Sequence, residues 1–278
     1  MSWWKLLLMS ITALELIYSA ALAELQVEVD RESDPATETF SVEILREEKA
    51  LPVRKYRVLI YHTHTYEAYE QCSETPYIET EKWRTKDKNH NVIAVGEALA
   101  SNLRACGIEI VHDMTAFEPP SIDQAYERSR LMLERRLSAG EVYDLYIDLH
   151  RDALASQSTI KRTVNIAGES VARFMVLVGK GTTGGYEDKP DWERNLAVAQ
   201  AITDALNVQY DGLSRNVKIK TGRFNQHISD RSVLIECGVN TNTLEEVLAG
   251  IPYLAEAIIN ALENIAENSP VEATSTGE

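Results

Sequence analysis

The sequence predicts an α/β protein: a single doubly wound, mostly parallel sheet with helices on both faces. Three observations carry this expectation. Short β-branched runs alternate with segments of helical period, the alternation that builds parallel sheets. The runs RVLIY (57–61), LYIDL (145–149) and VLI (233–235) are largely apolar, as strands covered on both faces are. Each of the three then breaks off into ionisable residues.

Taken in order, the strand at Arg57 to Tyr61 is followed by a long loop. Val92, Val95, Leu99, Leu103 and Cys106 then recur at intervals of three and four, and Gly107 stands where a helix C-terminal cap belongs. Ile108 to Val111 is the next strand, and Ser121-Ile122-Asp123-Gln124 has the capping-box form that opens a helix to about Leu137. Leu145 to Leu149 is a strand. Thr159 to Ile166 and Arg173 to Val178 straddle Ala167-Gly168-Glu169 and read as a hairpin. Asp191 to Leu206 is a helix and Val233 to Ile235 a last buried strand. Thr243-Leu244-Glu245-Glu246 caps a final helix, interrupted at Gly250 and Pro252, that runs to about Ile265.

Around this domain, placed at 53–266, the composition changes. Residues 1–23 carry Lys5, an apolar run and Ala21-Leu22-Ala23 before Glu24, the pattern of a signal peptide or N-terminal membrane anchor. Glu15 sits within the apolar run, where a carboxylate costs about 2.5 to 3.5 kcal/mol at the centre of a membrane helix, which disfavours permanent residence. Either way the rest is expected outside the cytoplasm. Residues 24–52 read as an acidic linker and 267–278 as a disordered tail.

The 278 residues are 44% hydrophobic, enough for a sizeable core, and the net charge of -15 repels phosphate backbones, so nucleic acid is not an expected partner. Cys72, Cys106 and Cys237 have neither the number nor the spacing of a disulfide framework or thiolate metal site.

In open α/β sheets, ligands bind outside the carboxyl ends of the strands. Here the first strand leads into His62-Thr63-His64-Thr65-Tyr66-Glu67, the third into His150-Arg151-Asp152 and the last into Glu236-Cys237-Gly238. A hydrolytic zinc takes about three His, Glu or Asp ligands and keeps one position open. His64, His150 and a carboxylate meet that requirement, although any one of these histidines also reads as a strand-end residue bonded to backbone. Asp148 shares a strand face with His150 and either orients it or caps a loop, and Asp152 is a similar choice. Arg151 either forms an ion pair or grips a substrate carboxylate. Glu236, directly after Val-Leu-Ile, is costly to bury unless paired or used as a general acid or base. Asn225 and Gln226, beside His227, either line the cleft or form a polar loop. Cys237 is a nucleophile candidate or a small core thiol.

The stretches YHTHTYEAY (61–69), NVIAVGEALASNL (91–103), DLHRDA (148–153), ARFMVLVG (172–179), FNQHIS (224–229) and LIECGVNTNTLEEV (234–247) resemble, in order, the stage II sporulation protein P family of cell-wall hydrolases. The resemblance implies a zinc-dependent N-acetylmuramoyl-L-alanine amidase of zinc-amidase-like fold, with a further peptide-cleaving activity, acting on peptidoglycan in septal wall thinning and engulfment. It also implies partnership with stage II sporulation proteins D and M, and location at the outer face of the cytoplasmic membrane or beyond it. By the same match His64 and His150 become zinc ligands and Glu236 the catalytic base. Glu67 is the choice for the third ligand, with His62 and His90 as alternatives. Two other readings stand beside this one: an inactive wall-binding or scaffold protein of the same fold, and a thiol hydrolase built on Cys237 with His227.

Overall fold

The computed structural model describes residues 56–267 except 74 and 156. The expected leader, acidic linker and, from residue 268, the tail lie outside the described residues. In chain order the strands are β1 Arg57–Tyr61, β2 Glu109–His112, β3 Leu145–Asp152, β4 Thr163–Ile166, β5 Glu169–Ala172, β6 Phe174–Gly179, β7 Lys218–Lys220 and β8 Ser232–Val239. The helices are α1 Val92–Ala105, α2 Ala125–Ser138, α3 Trp192–Gln209, α4 Leu244–Leu248 and α5 Ile251–Glu267.

Six strands form one sheet in the order β2-β1-β3-β8-β6-β7, and β4 and β5 form a separate hairpin. Within the sheet every pairing is parallel except β6 against β8. Strand alternation sorts the side chains. Val58, Ile60, Ile147, Leu149, Val176, Val178, Val233 and Ile235 pack in one core with α1, α3 and α5. Leu59, Tyr61 and Tyr146 face the other way, against Leu133 of α2. Both faces therefore carry helix, but unequally, and Asp148, His150 and Glu236 lie on the face that α2 covers.

The doubly wound class holds, and several local expectations are corrected. Residues 159–166 do not pair with 174–178, the Arg173 amide to Arg162 O bond at 3.0 Å being where the hairpin ends. Instead Ala167 and Gly168, with φ of 53° and 92°, close a two-residue turn that joins β4 directly to β5. That frees the wholly apolar FMVLVG of β6 to be buried in the main sheet. Ser121 makes no side-chain cap bond, and a 3-10 turn at Ile122–Gln124 precedes α2. The Thr243 capping box does form, with Glu246 reciprocating. The short exposed β7 (KIK) has no apolar alternation to announce it.

β3 and β8 also run past the points where their apolar runs stop, to Asp152 and Val239. His150 and Glu236 are thus paired neighbours on adjacent strands rather than loop residues. Cys237 and Val239 keep feeding the core while Glu236 is buried on the opposite face, so the ladder has no reason to end at Ile235. Gly238 then turns the chain at φ +70°, and a Cβ there would meet Val247 Cγ2 at 2.8 Å.

Candidate active site

The site is built on the α2 face where β1, β3 and β8 approach their carboxyl ends. Asp148 and His150 project from β3, Glu236 from β8, and His64 and Glu67 from the turn after β1. His150 Nε2 lies 2.7 Å from Asp148 Oδ1, close but poorly aligned for a hydrogen bond, and its Nδ1 lies 3.3 Å from Glu67 Oε2. Asp148 is fixed in turn by Thr63, whose amide and hydroxyl donate at 2.8 and 2.7 Å. The His64 and His150 rings meet edge to face with centroids 5.4 Å apart.

Electrostatics divides the carboxylates. Burial acts to raise Glu67, but His150, Arg151 and His64 outweigh it and hold its pKa at about 2. Glu236 is almost fully buried, and desolvation pushes it up to about 8 despite the nearby His150; its Oε2 has no hydrogen-bond partner. One carboxylate is therefore a fixed anion, while the other has the affinity for a proton that a general acid or base needs.

Several residues expected at the site have other duties. His62 is fully buried on the opposite face, where its Nδ1 contacts Leu149 O and its Nε2 contacts His112 Nε2, each at 2.9 Å. Gly96 of α1 allows that approach, since a Cβ there would lie 2.6 Å from His62 Nε2. His90, the other alternative ligand, pairs with Asp87 at 2.8 Å on the loop before α1. Arg151 spends its guanidinium on Ala68 O and Trp83 O, clamping the loop that carries Glu67, rather than offering it to substrate. Asp152 is paired with Arg215 at 2.8 Å. Asn225 donates to Tyr126 O and Ser129 Oγ, and Gln226 brackets β6 through Gly179 N and Leu177 O. These bonds fasten the scaffold. Cys237 lies in the apolar core, where burial pushes its thiol up, the reverse of what a nucleophile needs.

The structure adds two side chains that sequence reasoning passed over. Tyr126 of α2 meets the His64 ring edge to face at 5.5 Å, and burial, with Asp148, Glu67 and Glu236 behind it, raises its phenol well above the ordinary range. Glu118, on the loop after β2, is 4% exposed and lies 3.6 Å from His64 Nδ1. No strand-end signal marks it, since Glu118 lies six residues beyond the end of β2 at His112.

The donor set tests the zinc expectation. Two tetrahedral ligand atoms about 2.0 to 2.1 Å from zinc stand roughly 3.4 Å apart, and His150 Nδ1 and Glu67 Oε2 are separated by 3.3 Å. The His64 ring stands beside them, its centroid 5.4 Å from that of His150. Imidazole and carboxylate donors thus fit the metal chemically. Among the described residues, however, no group of three or more His, Cys, Asp or Glu side chains is already gathered into a cage.

A sequence model of the stage II sporulation protein P family matches residues 18–259. The chain belongs to that family. It is 29% identical over 201 residues to the stage II sporulation protein P of Bacillus subtilis, an alignment covering 68% of this chain and 47% of the relative. The match thus spans about half the length of that curated relative. Similar solved structures include an N-acetylmuramoyl-L-alanine amidase from Clostridium difficile 630 (16% identity, TM-score 0.47, 77% of this chain and 98% of the other). They also include the CwlD amidase of Clostridioides difficile in complex with the GerS lipoprotein (15%, 0.46, 77% and 98%). A third is the amidase AmiC2 of Nostoc punctiforme (16%, 0.43, 76% and 97%).

Proposed function

We propose that this chain is a peptidoglycan hydrolase that cleaves the amide between N-acetylmuramic acid and the L-alanine of the stem peptide. The observation that carries the reading is the pairing, on adjacent strands, of His150 with a buried Glu236 whose pKa lies near 8, beside His64 and Glu67. Membership of the sporulation family supports the wall as the setting. Action at the septum during engulfment, a peptide-cleaving activity on cross-links, sporulation proteins D and M as partners, and a place outside the cytoplasmic membrane belong to the same reading. Among the described residues no helix is long and apolar enough to cross a membrane.

His64, His150 and Glu67 would hold zinc, with Asp148 orienting His150 through its second ring nitrogen. Zinc bound there would polarise the amide carbonyl and make water a stronger acid. The protein's own contribution is proton transfer and order. Glu236 accepts a proton from the attacking water and returns it to the departing amine of L-alanine. A nearby dication favours its ionised form, drawing the buried carboxyl back toward the working pH. Thr63 and Ser129, bonded to each other at 2.9 Å, tie the Asp148–His150 pair to α2.

The test is mass spectrometry of purified peptidoglycan incubated with the chain, with and without chelator and added zinc. Stem peptides with a free L-alanine terminus, lost with chelator and restored by zinc, are expected. Wall retention without release under any metal condition would favour the scaffold reading instead.

A further inference from the structure

Each site histidine has a buried carboxylate beside it that is held by groups outside the proposed ligand set. For His150 it is Asp148, anchored by Thr63. For His64 it is Glu118, whose Oε1 lies 3.6 Å from His64 Nδ1. Glu118 is anchored through an ion pair with Arg84 and by the Tyr66 amide, which donates to Oε1 at 3.5 Å. Arg84 is itself fixed in the loop by its backbone, its amide donating to Glu81 O and its carbonyl accepting from Thr80 N, each at 2.9 Å.

We infer that Glu118, held by Arg84, is the positioning residue for His64: it accepts Nδ1–H, fixes the tautomer, and leaves Nε2 free to face the cleft. The argument is geometric. His64 Nδ1 is buried and has no hydrogen-bond partner, and the carboxylate is the anion aimed at it. The separation of 3.6 Å is slightly beyond a hydrogen bond. A buried carboxylate beside a ligand histidine orients the ring and raises its basicity. Glu118 is also nearly sequestered, so it does not serve as a surface charge. The inference rests on the zinc reading of the site for its consequence, while the tautomer it assigns is a property of the metal-free chain.

The experiment uses the full chain with 15N-labelled histidine. At mildly alkaline pH, long-range proton–nitrogen spectra are expected to show His64 as the Nδ1–H tautomer in the wild type and as Nε2–H or a mixture in Glu118→Ala. Glu118→Gln, which keeps an acceptor oxygen, should fall between. Zinc affinity, measured by competition with a chromophoric chelator, should drop about 10- to 100-fold in Glu118→Ala. The visible band positions of the cobalt-substituted protein should stay unchanged, since no ligand is lost. Arg84→Gln, which frees the carboxylate without deleting it, should lose less affinity.

An unchanged tautomer in Glu118→Ala would overturn the inference. So would a shifted cobalt spectrum, which would make Glu118 a ligand. Failure of the wild type to bind zinc, with the tautomer still changing, would overturn the zinc reading and leave the positioning of His64 intact.

Discussion

His62 and His64 stand two residues apart after the same strand, and the structure gives them opposite fates. His62 continues the parity of Val58 and Ile60 and enters the three-helix core, where both ring nitrogens are engaged and desolvation lowers its pKa to about 3. His64 lies beyond the last paired residue, on a turn, and meets His150 and Tyr126 in the cleft. Being an imidazole at a strand end is therefore not enough. The face on which the ring emerges decides whether it can be a ligand or is a buried, neutral part of the core.

The sharpest way to break this contrast is at the cleft's proton carrier. Glu236→Gln should cost about 10²- to 10⁴-fold in wall hydrolysis, the range general acid–base groups supply, with zinc affinity unchanged. A rate near wild type would remove Glu236 from the chemistry. Asp148→Asn probes the support of the cleft histidine and should weaken zinc binding about 10- to 100-fold in a chelator competition.

The same Glu236→Gln variant carries a stability signature. The ordinary Glu value is 4.5 and the folded value about 8, so the unfolded chain ionises first and folding loses stability as pH rises between them. The variant should melt higher than wild type, with the gain larger near pH 8 than near pH 5, as read by thermal denaturation at both.

On the core side the sign reverses. His62 has a folded pKa of about 3 against an ordinary 6.5, so the unfolded chain binds its proton first on acidification. The stability tied to a neutral His62 is complete above pH 6.5 and is lost as pH falls toward 3. His62→Gln should flatten that decline, by up to about 1.4 kcal/mol per pH unit, in denaturant titrations across the window. Wall hydrolysis at neutral pH should change far less than in the cleft variants.

The parts legible in the sequence were those set by local pattern. β1 and α1 follow from apolar runs and helical spacing, and the Thr243 cap from its own four residues. The placement of Asp148 on the His150 face follows from strand alternation. What escaped depended on the third dimension. The β4–β5 turn rests on a left-handed Ala167, a conformation no propensity favours. Arg151, Asn225 and Gln226 look like ligand-binding groups until their hydrogen bonds to distant backbone are seen. Glu118 lay unnoticed because its loop carries no motif, and its meaning comes only from His64, more than fifty positions earlier in the chain.

The most direct test is zinc stoichiometry on the purified chain and three variants, His64→Ala, His150→Ala and His62→Gln, by equilibrium dialysis with elemental analysis. One tightly held zinc in the wild type and in His62→Gln, absent from both cleft variants, is the predicted result. Zinc retained after loss of His64 or His150, or lost from a folded His62→Gln, would contradict the assignment of the two faces.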